Sequence, residues 1–405
     1  MSKLNFEQLF FYCKLYRKFL QLKQGGDTIL TALNANKQLF VLTRQYARDQ
    51  LIELRNHEQF YCPKCQEPVH LKIGQVMIPH FAHKKQSNCQ QTFSEGETAV
   101  HLLGKHQLYE MFKKLQLNVQ LEPYLPILAQ RPDVLVEKKQ QQYAIEFQCS
   151  TIPIPQMETR TIGYLQANMI PIWILKTPKE KQPYKDGIQQ IKLSPFKQQF
   201  ITYIQNHAHI ITFDPETAAF LYFSHLIPLG GYRFIANVKH LSIETQHFPF
   251  LNVKEPSKDE FLIYWRLWKK NRQQFLKRRL FISKKGLQDP FLRACYFMGC
   301  HVENLPLFIG IPVSKTSNFS VFEAEWQMLW LLFLLEKGYD FNHISSYIID
   351  EFRKMNPILF INKNAVKSLQ HYNEILKKIG ITHFNSIFDE TALYRYLYVQ
   401  FLAKH

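Results

Sequence analysis

The stretch Arg131-Pro132-Asp133-Val134-Leu135-Val136, followed by Tyr143-Ala144-Ile145-Glu146-Phe147-Gln148, decides the fold. It reads as two adjacent strands, with Asp133 near the start of the first. Side chains alternate across a strand, so Glu146 and Gln148 point to one face. A hairpin around Glu137-Lys138-Lys139-Gln140-Gln141 brings Asp133 to that face as well. Two carboxylates converging at a sheet end make a hard oxygen site for a small divalent cation such as Mg²⁺.

Working outward, residues 97–115 carry Val100, Leu103, Leu108, Met111 and Leu115 as an apolar helical stripe. Strands are expected over 118–123, 132–137 and 143–148, then a helix over 155–168 and an apolar strand over 170–175. The predicted order is helix, three strands, helix, strand. Before it, 28–33 and 38–42 read as a hairpin around Asn34-Ala35-Asn36-Lys37, and 43–55 as a helix. Short strands are expected over 69–73 and 76–81, with Gly74 at the turn between them. Residues 3–24 show helical spacing, ended by Gly25-Gly26-Asp27. Residues 179–193, rich in Lys, Gln and Pro, read as a linker, and 194–405 as a helical, basic domain with a buried apolar helix over 324–336. The predicted organisation is therefore α+β: a helical extension (1–27), a small β module (28–92), an αβββαβ core (93–178), the linker and the helical domain.

The chain has 405 residues, enough for two or three domains. Its net charge of +17 points to a polyanionic partner, with nucleic acid the first candidate. Seven cysteines in a chain this long do not form a disulfide framework. Charged residues interrupt the N-terminal apolar residues, and no apolar run reaches membrane-spanning length. A cytoplasmic protein is expected.

Five constellations carry chemistry. Cys62-Pro63-Lys64-Cys65, then His80-Phe81-Ala82-His83, then Cys89, offer five ligands for a tetrahedral Zn²⁺. Period-two alternation separates His80 from His83, so the preferred set is Cys62, Cys65, His83 and Cys89, with His80 the substitute. Four protein ligands leave no open position, so the role expected is structural. The acids Glu97, Asp133 and Glu146, with Gln148, suit a metal site that activates water against a phosphodiester. Glu97, His101 and Lys105 fall at i, i+4 and i+8 on one helical face, turned either to the active site, with His101 and Lys105 as candidate DNA contacts, or to solvent. Ser150, Thr151 and Arg160 follow the Glu146 strand closely and are candidate phosphate contacts. Residues 266–285 hold nine basic residues and no acid, with Trp265, Trp268 and Phe275 nearby. Those rings are either stacking platforms for bases or core.

Together these motifs resemble the CoiA competence-protein family. The resemblance rests on Tyr61-Cys62-Pro63-Lys64-Cys65, His80-Phe81-Ala82-His83, Glu97-Thr98 with His101 and Lys105, Arg131-Pro132-Asp133, and Glu146-Phe147-Gln148-Cys149-Ser150. It covers about residues 28–176. It implies a PD-(D/E)XK nuclease-like core, Mg²⁺ or Mn²⁺ at Asp133 and Glu146, and a role in recombining incoming single-stranded or branched DNA. Competence or recombination proteins are the protein partners it implies. Gln148 stands where such a site usually has Lys, and so puts catalysis in question.

Overall fold

The computed structural model describes residues 28–402 other than 44, 76, 84–88, 90–97, 180–181, 205–206, 251–254, 284–285, 314–317, 342, 362–363 and 387. The helix expected over 3–24 and the acid Glu97 lie outside the described residues. Two compact units divide the chain. The first comprises residues up to Pro178 with Ile211–Leu221 and Leu241–Leu251, and the second comprises the remainder.

The first unit opens with a six-stranded antiparallel sheet in the order β1-β6-β5-β4-β2-β3. Its strands are β1 (Thr28–Ile29), β2 (Thr31–Leu33), β3 (Leu39–Val41), β4 (Phe60–Tyr61), β5 (Pro68–Lys72) and β6 (His80–His83). Helix α1 (Arg48–His57) joins β3 to β4. The β2–β3 hairpin closes where expected, because the Asn34 side chain accepts the N–H groups of Asn36 and Gln38 at 3.0 and 2.9 Å. Ile29, Leu51, Phe60, Leu71 and Phe81 form its small core.

The predicted helix, three strands, helix and strand follow as α2 (Ala99–Lys114), β7 (Asn118–Leu121), β8 (Val134–Lys138), β9 (Gln141–Gln148), α3 (Ile154–Gln166) and β10 (Met169–Lys176). Thr98 caps α2 by accepting the His101 N–H at 3.2 Å. The β8–β9 hairpin turns tightly through Lys139 and Gln140, whose φ angles are +49° and +65°. Strand β10 lies parallel to β9, as the intervening helix requires.

The boundary expected at 178 is not the end of this unit. Residues 212–213 pair in parallel with the end of β10. Phe213 packs on Phe147, and Phe248 on Phe112 and Tyr143, so later segments complete the core around β9.

The chain beyond residue 178 corrects two further expectations. The linker of 179–193 contains strand β11 (Gly187–Lys192). The region after 194, expected to be helical, carries a short α4 (Pro195–Gln198), then β12 (Thr202–Ile204), β13 (His207–Asp214), β14 (Ala219–Pro228) and β15 (Arg233–Ser242). Strands β13 and β14 are buried at nearly every position, so they lack the alternation that marks a half-exposed strand.

Helices α5 (Lys258–Ile282), α6 (Pro290–Phe297), α7 (Glu323–Lys337), α8 (Ser346–Met355), α9 (Asn364–Lys378) and α10 (Glu390–Leu402) complete the second unit. As expected, α7 is buried, with Trp326 and Trp330 fully enclosed. Gly338 ends it in the left-handed region at φ +67°. The aromatics of α5 are core as well. Trp265 and Trp268 are buried, and the Trp268 indole donates to the Gly310 carbonyl at 3.2 Å. They are not platforms for bases. Among the described residues no helix is long and apolar enough to cross a membrane.

Candidate metal centres

Asp133 immediately precedes β8, and Glu146 lies near the end of β9, its hairpin partner. Helix α2 approaches β9 closely at Gly104. A Cβ there would sit 2.2 Å from the Phe147 ring, so only glycine permits this packing. The close approach sets His101 and Lys105 over Asp133. His101 Nε2 lies 3.3 Å from Asp133 Oδ2, Lys105 Nζ lies 3.8 Å from Oδ1, and the Phe147 N–H donates to Oδ2 at 2.8 Å. Burial alone would raise the Asp133 pKa. His101, Lys105 and Arg160 outweigh it and hold the carboxyl well below the usual carboxylate range.

Glu146 is held from the other side. Arg160 and Tyr164, four apart on α3, both donate to its Oε1. Arg160 also donates to the Arg131 carbonyl at 3.2 Å, tying α3 to the segment that carries Asp133. Burial pushes the Glu146 carboxyl up to about 7 against the pull of Arg160, and the Asp133 charge adds to the rise. The pair is thus one ionised carboxylate beside one that shares its proton near neutrality, and a divalent cation would favour the ionised form of both.

The remaining expected residues fall into three groups. Glu97 lies outside the described residues. Gln148 shares the hairpin with the acids, but its amide donates to the Ser150 carbonyl at 2.8 Å. Ser150 and Thr151 are exposed. His101 is partly buried and bound to Asp133, which makes it part of the acid site.

Two candidate phosphate contacts are corrected. Lys105 is 1% exposed and its ammonium sits on Glu122. Arg160 is nearly enclosed on Glu146. Both cations are committed to buried carboxylates rather than presented at the surface.

Glu122 and Tyr164 escaped the sequence reading. Glu122 is buried after β7 and joins three elements. It binds Lys105, accepts the Leu30 N–H at 2.8 Å, and accepts the Thr31 hydroxyl at 3.4 Å. Nothing in its local sequence marks it. Tyr164 carried a usable signal, since its i+4 spacing from Arg160 puts both on one helical face.

The second centre lies in the small β module. The ligand atoms of Cys62, Cys65, His83 and Cys89 all lie within 4.8 Å of one another. Cys65 Sγ is 3.4 Å from His83 Nε2. Burial raises the Cys62 thiol, but hydrogen bonds from His83 and from the backbone N–H groups of Cys65 and Lys64 bring it down to about 6. Burial and the neighbouring thiols push Cys89 up to about 12. One thiolate thus forms readily, while its neighbours need a cation before they ionise. Three sulfurs and one imidazole suit Zn²⁺. His80 is not in this group, and its Nδ1 lies 2.9 Å from the Ile78 carbonyl oxygen. The structure gathers the preferred four, and the substitute His80 lies outside that group.

Comparison with known proteins gives a consistent picture. Residues 97–256 match the family model "Competence protein CoiA, nuclease-like domain", and residues 43–92 match "Competence protein CoiA, N-terminal domain". The competence protein CoiA of Bacillus subtilis strain 168 is 32% identical over 283 residues, which cover 69% of this chain and 73% of that protein. No solved structure matches. With both domains matched in order and the identity extending over most of either protein, the chain belongs to the competence protein CoiA family.

Proposed function

We propose that this protein processes DNA taken up during competence, in the cytoplasm, through a PD-(D/E)XK-type site centred on Asp133 and Glu146. The observation that carries the reading is the pair of carboxylates on adjoining hairpin segments, within a helix, three-strand, helix, strand order. The hard oxygens of Asp133 and Glu146 would hold Mg²⁺ or Mn²⁺. Bound there, the ion supplies Lewis-acid activation of water and of a phosphate oxygen. His101 orients Asp133, and Arg160 with Tyr164 orients Glu146. Ser150 stands beyond the end of β9 as a phosphate contact. In the small module, Cys62, Cys65, His83 and Cys89 would hold a structural Zn²⁺, consistent with their donor set and with the small core of that sheet.

The test is metal-dependent cleavage of single-stranded, duplex and branched DNA. Wild type is expected to cut with Mg²⁺ or Mn²⁺, and Asp133→Ala and Glu146→Ala to lose the activity. Equal activity in all three proteins removes the reading. For the zinc centre, Cys62→Ser and Cys65→Ser are expected to lower bound zinc, measured by elemental analysis. A zinc content unchanged in both would sink that assignment.

A second reading has its own support. Arg160 and Tyr164 already saturate one Glu146 oxygen, and Gln148 is turned to Ser150. A nuclease fold retained only for DNA binding would tolerate both. DNA binding without cleavage by wild type, undiminished in Glu146→Ala, selects it.

A further inference from the structure

The second unit holds a cleft of about 890 Å³ whose lining includes Tyr184, Lys185, Asp186, Gln190, Lys192 and Arg233. Its chemistry is set by strand register. In the antiparallel pair β11–β15, Lys192 stands directly opposite Arg233. Like charges opposed across a strand pair destabilise a sheet. Helix α5 packs against β11, and the charge of its exposed Arg278 acts on Arg233. Arg233 feels both partial burial and the Arg278 charge, which together lower its pKa.

Among the described residues no carboxylate lies within ion-pairing distance of Lys192, Arg233 or Arg278. The acid that does line the cleft is engaged elsewhere: Asp186 accepts the His240 N–H at 2.9 Å and lies 2.6 Å from its Nδ1. Three other cations of α5 are engaged. Arg279 pairs with Glu325 and Asp289, Lys269 pairs with Glu390, and Arg272 binds the carbonyls of Leu305, Pro306 and Ile309. Arg266, Lys270 and Lys277 of the same helix are exposed to solvent, whereas Lys192 and Arg233 line the cleft itself.

We propose that this cleft is a docking track for the phosphate backbone of single-stranded nucleic acid, with Lys192 and Arg233 as its phosphate contacts and Arg278 of α5 adding positive charge. Two cations held opposite each other across a strand pair are relieved by an anion placed between them. Repeated contacts of this kind release counterions from a polyanion. Tyr184 and Gln190 add a ring and an amide beside them. These suit unpaired bases better than a duplex, which offers chiefly phosphates to such a groove. The assignment rests on the DNA reading above and gives it a binding site on the second unit, apart from Asp133 and Glu146.

The experiment measures binding of labelled oligothymidylate to the full chain by anisotropy, without added Mg²⁺ or Mn²⁺, over a salt series. A matched duplex is run alongside. Wild type is expected to prefer the single strand. Arg233→Glu with Lys192→Glu is expected to weaken binding by about tenfold or more and to reduce the salt slope by about one per lost phosphate contact. Arg233→Gln tests for a merely structural role. It is expected to weaken binding while leaving the melting temperature equal or higher, because a like-charge contact is removed.

If wild type binds but the double reversal changes neither affinity nor slope, the cleft assignment fails and the DNA reading survives. A wild type that binds no DNA removes both. A duplex preference overturns the single-strand assignment. A marked fall in the Arg233→Gln melting temperature overturns the cleft assignment by making the arginine structural.

Discussion

Lys105 holds its ammonium inside the protein, against Glu122 and near Asp133. Removing one partner of such a pair leaves a buried charge alone, which costs more than the pair contributes. Lys105→Ala is therefore expected to cost about 3–5 kcal/mol. The double variant Lys105→Met with Glu122→Gln should recover much of this, since the amide oxygen of the new side chain can still accept the Leu30 N–H. Urea denaturation of the three proteins checks it, and an additive loss in the double variant would contradict the pairing. A second residue prediction concerns His225, buried in β14 beside His207 at a ring separation of 4.6 Å. Burial first, then His207 and His209, bring its pKa from 6.5 down to about 4. The unfolded chain binds this proton more readily, so stability falls as pH drops from 6.5 through about 4. The loss amounts to at most about 3 kcal/mol. His225 has φ +51°, a conformation that Asn tolerates, so His225→Asn should flatten that part of the stability–pH curve. A curve with unchanged slope would count against the assignment. At this scale the gathering of Cys62, Cys65, His83 and Cys89 and the hairpin placement of Asp133 and Glu146 were legible, because cysteine spacing and strand alternation point to them, although five residues competed for the four zinc places. Glu122 was not, because its partners are at Leu30, Thr31 and Lys105, and only the folded chain brings these together.

The β8–β9 hairpin places the two acids, and its turn is built from residues poorly suited to it. Lys139 and Gln140 both adopt positive φ, the pattern of a two-residue turn that favours Asn-Gly. Gln140→Gly is expected to stabilise the protein by about 0.5–1 kcal/mol, and Lys139→Asn to add a smaller gain. The turn lies at the end of the hairpin away from Asp133 and Glu146, so metal-dependent cleavage, where present, should be unchanged. Chemical denaturation together with the cleavage assay checks both halves. Destabilisation by Gln140→Gly would show that the side chain contributes more than its backbone strain removes. The elements from α2 to β10 were legible because their apolar stripes, alternation and turn residues agree with one another. Strands β13 and β14 were not. Runs such as Phe220-Leu221-Tyr222-Phe223 are buried at every position, and a continuous apolar run fits an enclosed strand and a buried helix equally well. The α5 aromatics were ambiguous for a related reason. Sequence places Trp265 and Trp268 among cations, and only packing shows that the rings face inward while Arg266 and Lys270 face solvent.

At the scale of the whole chain, linear order and folded unit diverge. A composition shift near residue 178 suggested the end of the nuclease-like core, yet the matched family domain runs to residue 256. The structure supplies the reason. Ile211–Leu221 and Leu241–Leu251 return to the first unit, with Phe213 against Phe147 and Phe248 against Phe112 and Tyr143. The Phe248 carbonyl also accepts from Lys138, at the turn end of β8. A sequence reading cannot foresee such returns, because they depend on which distant apolar face remains uncovered once the local elements have formed. The consequence is testable in the intact chain. Phe248 is buried, so Phe248→Ala is expected to cost about 3–5 kcal/mol. The cost should fall on the first unit although the residue follows much of the second in sequence. Hydrogen exchange locates it: amides of β8 and β9, such as Val136 and Tyr143, should lose protection. Trp330→Ala in α7 provides the contrast, since its contacts with Phe333, Phe352 and Asn373 all lie in the second unit. It should deprotect α7 and α9 first. If Phe248→Ala accelerated exchange only in the second unit, the assignment of Leu241–Leu251 to the nuclease-like core would be wrong, and the core would end where the composition shift first placed it.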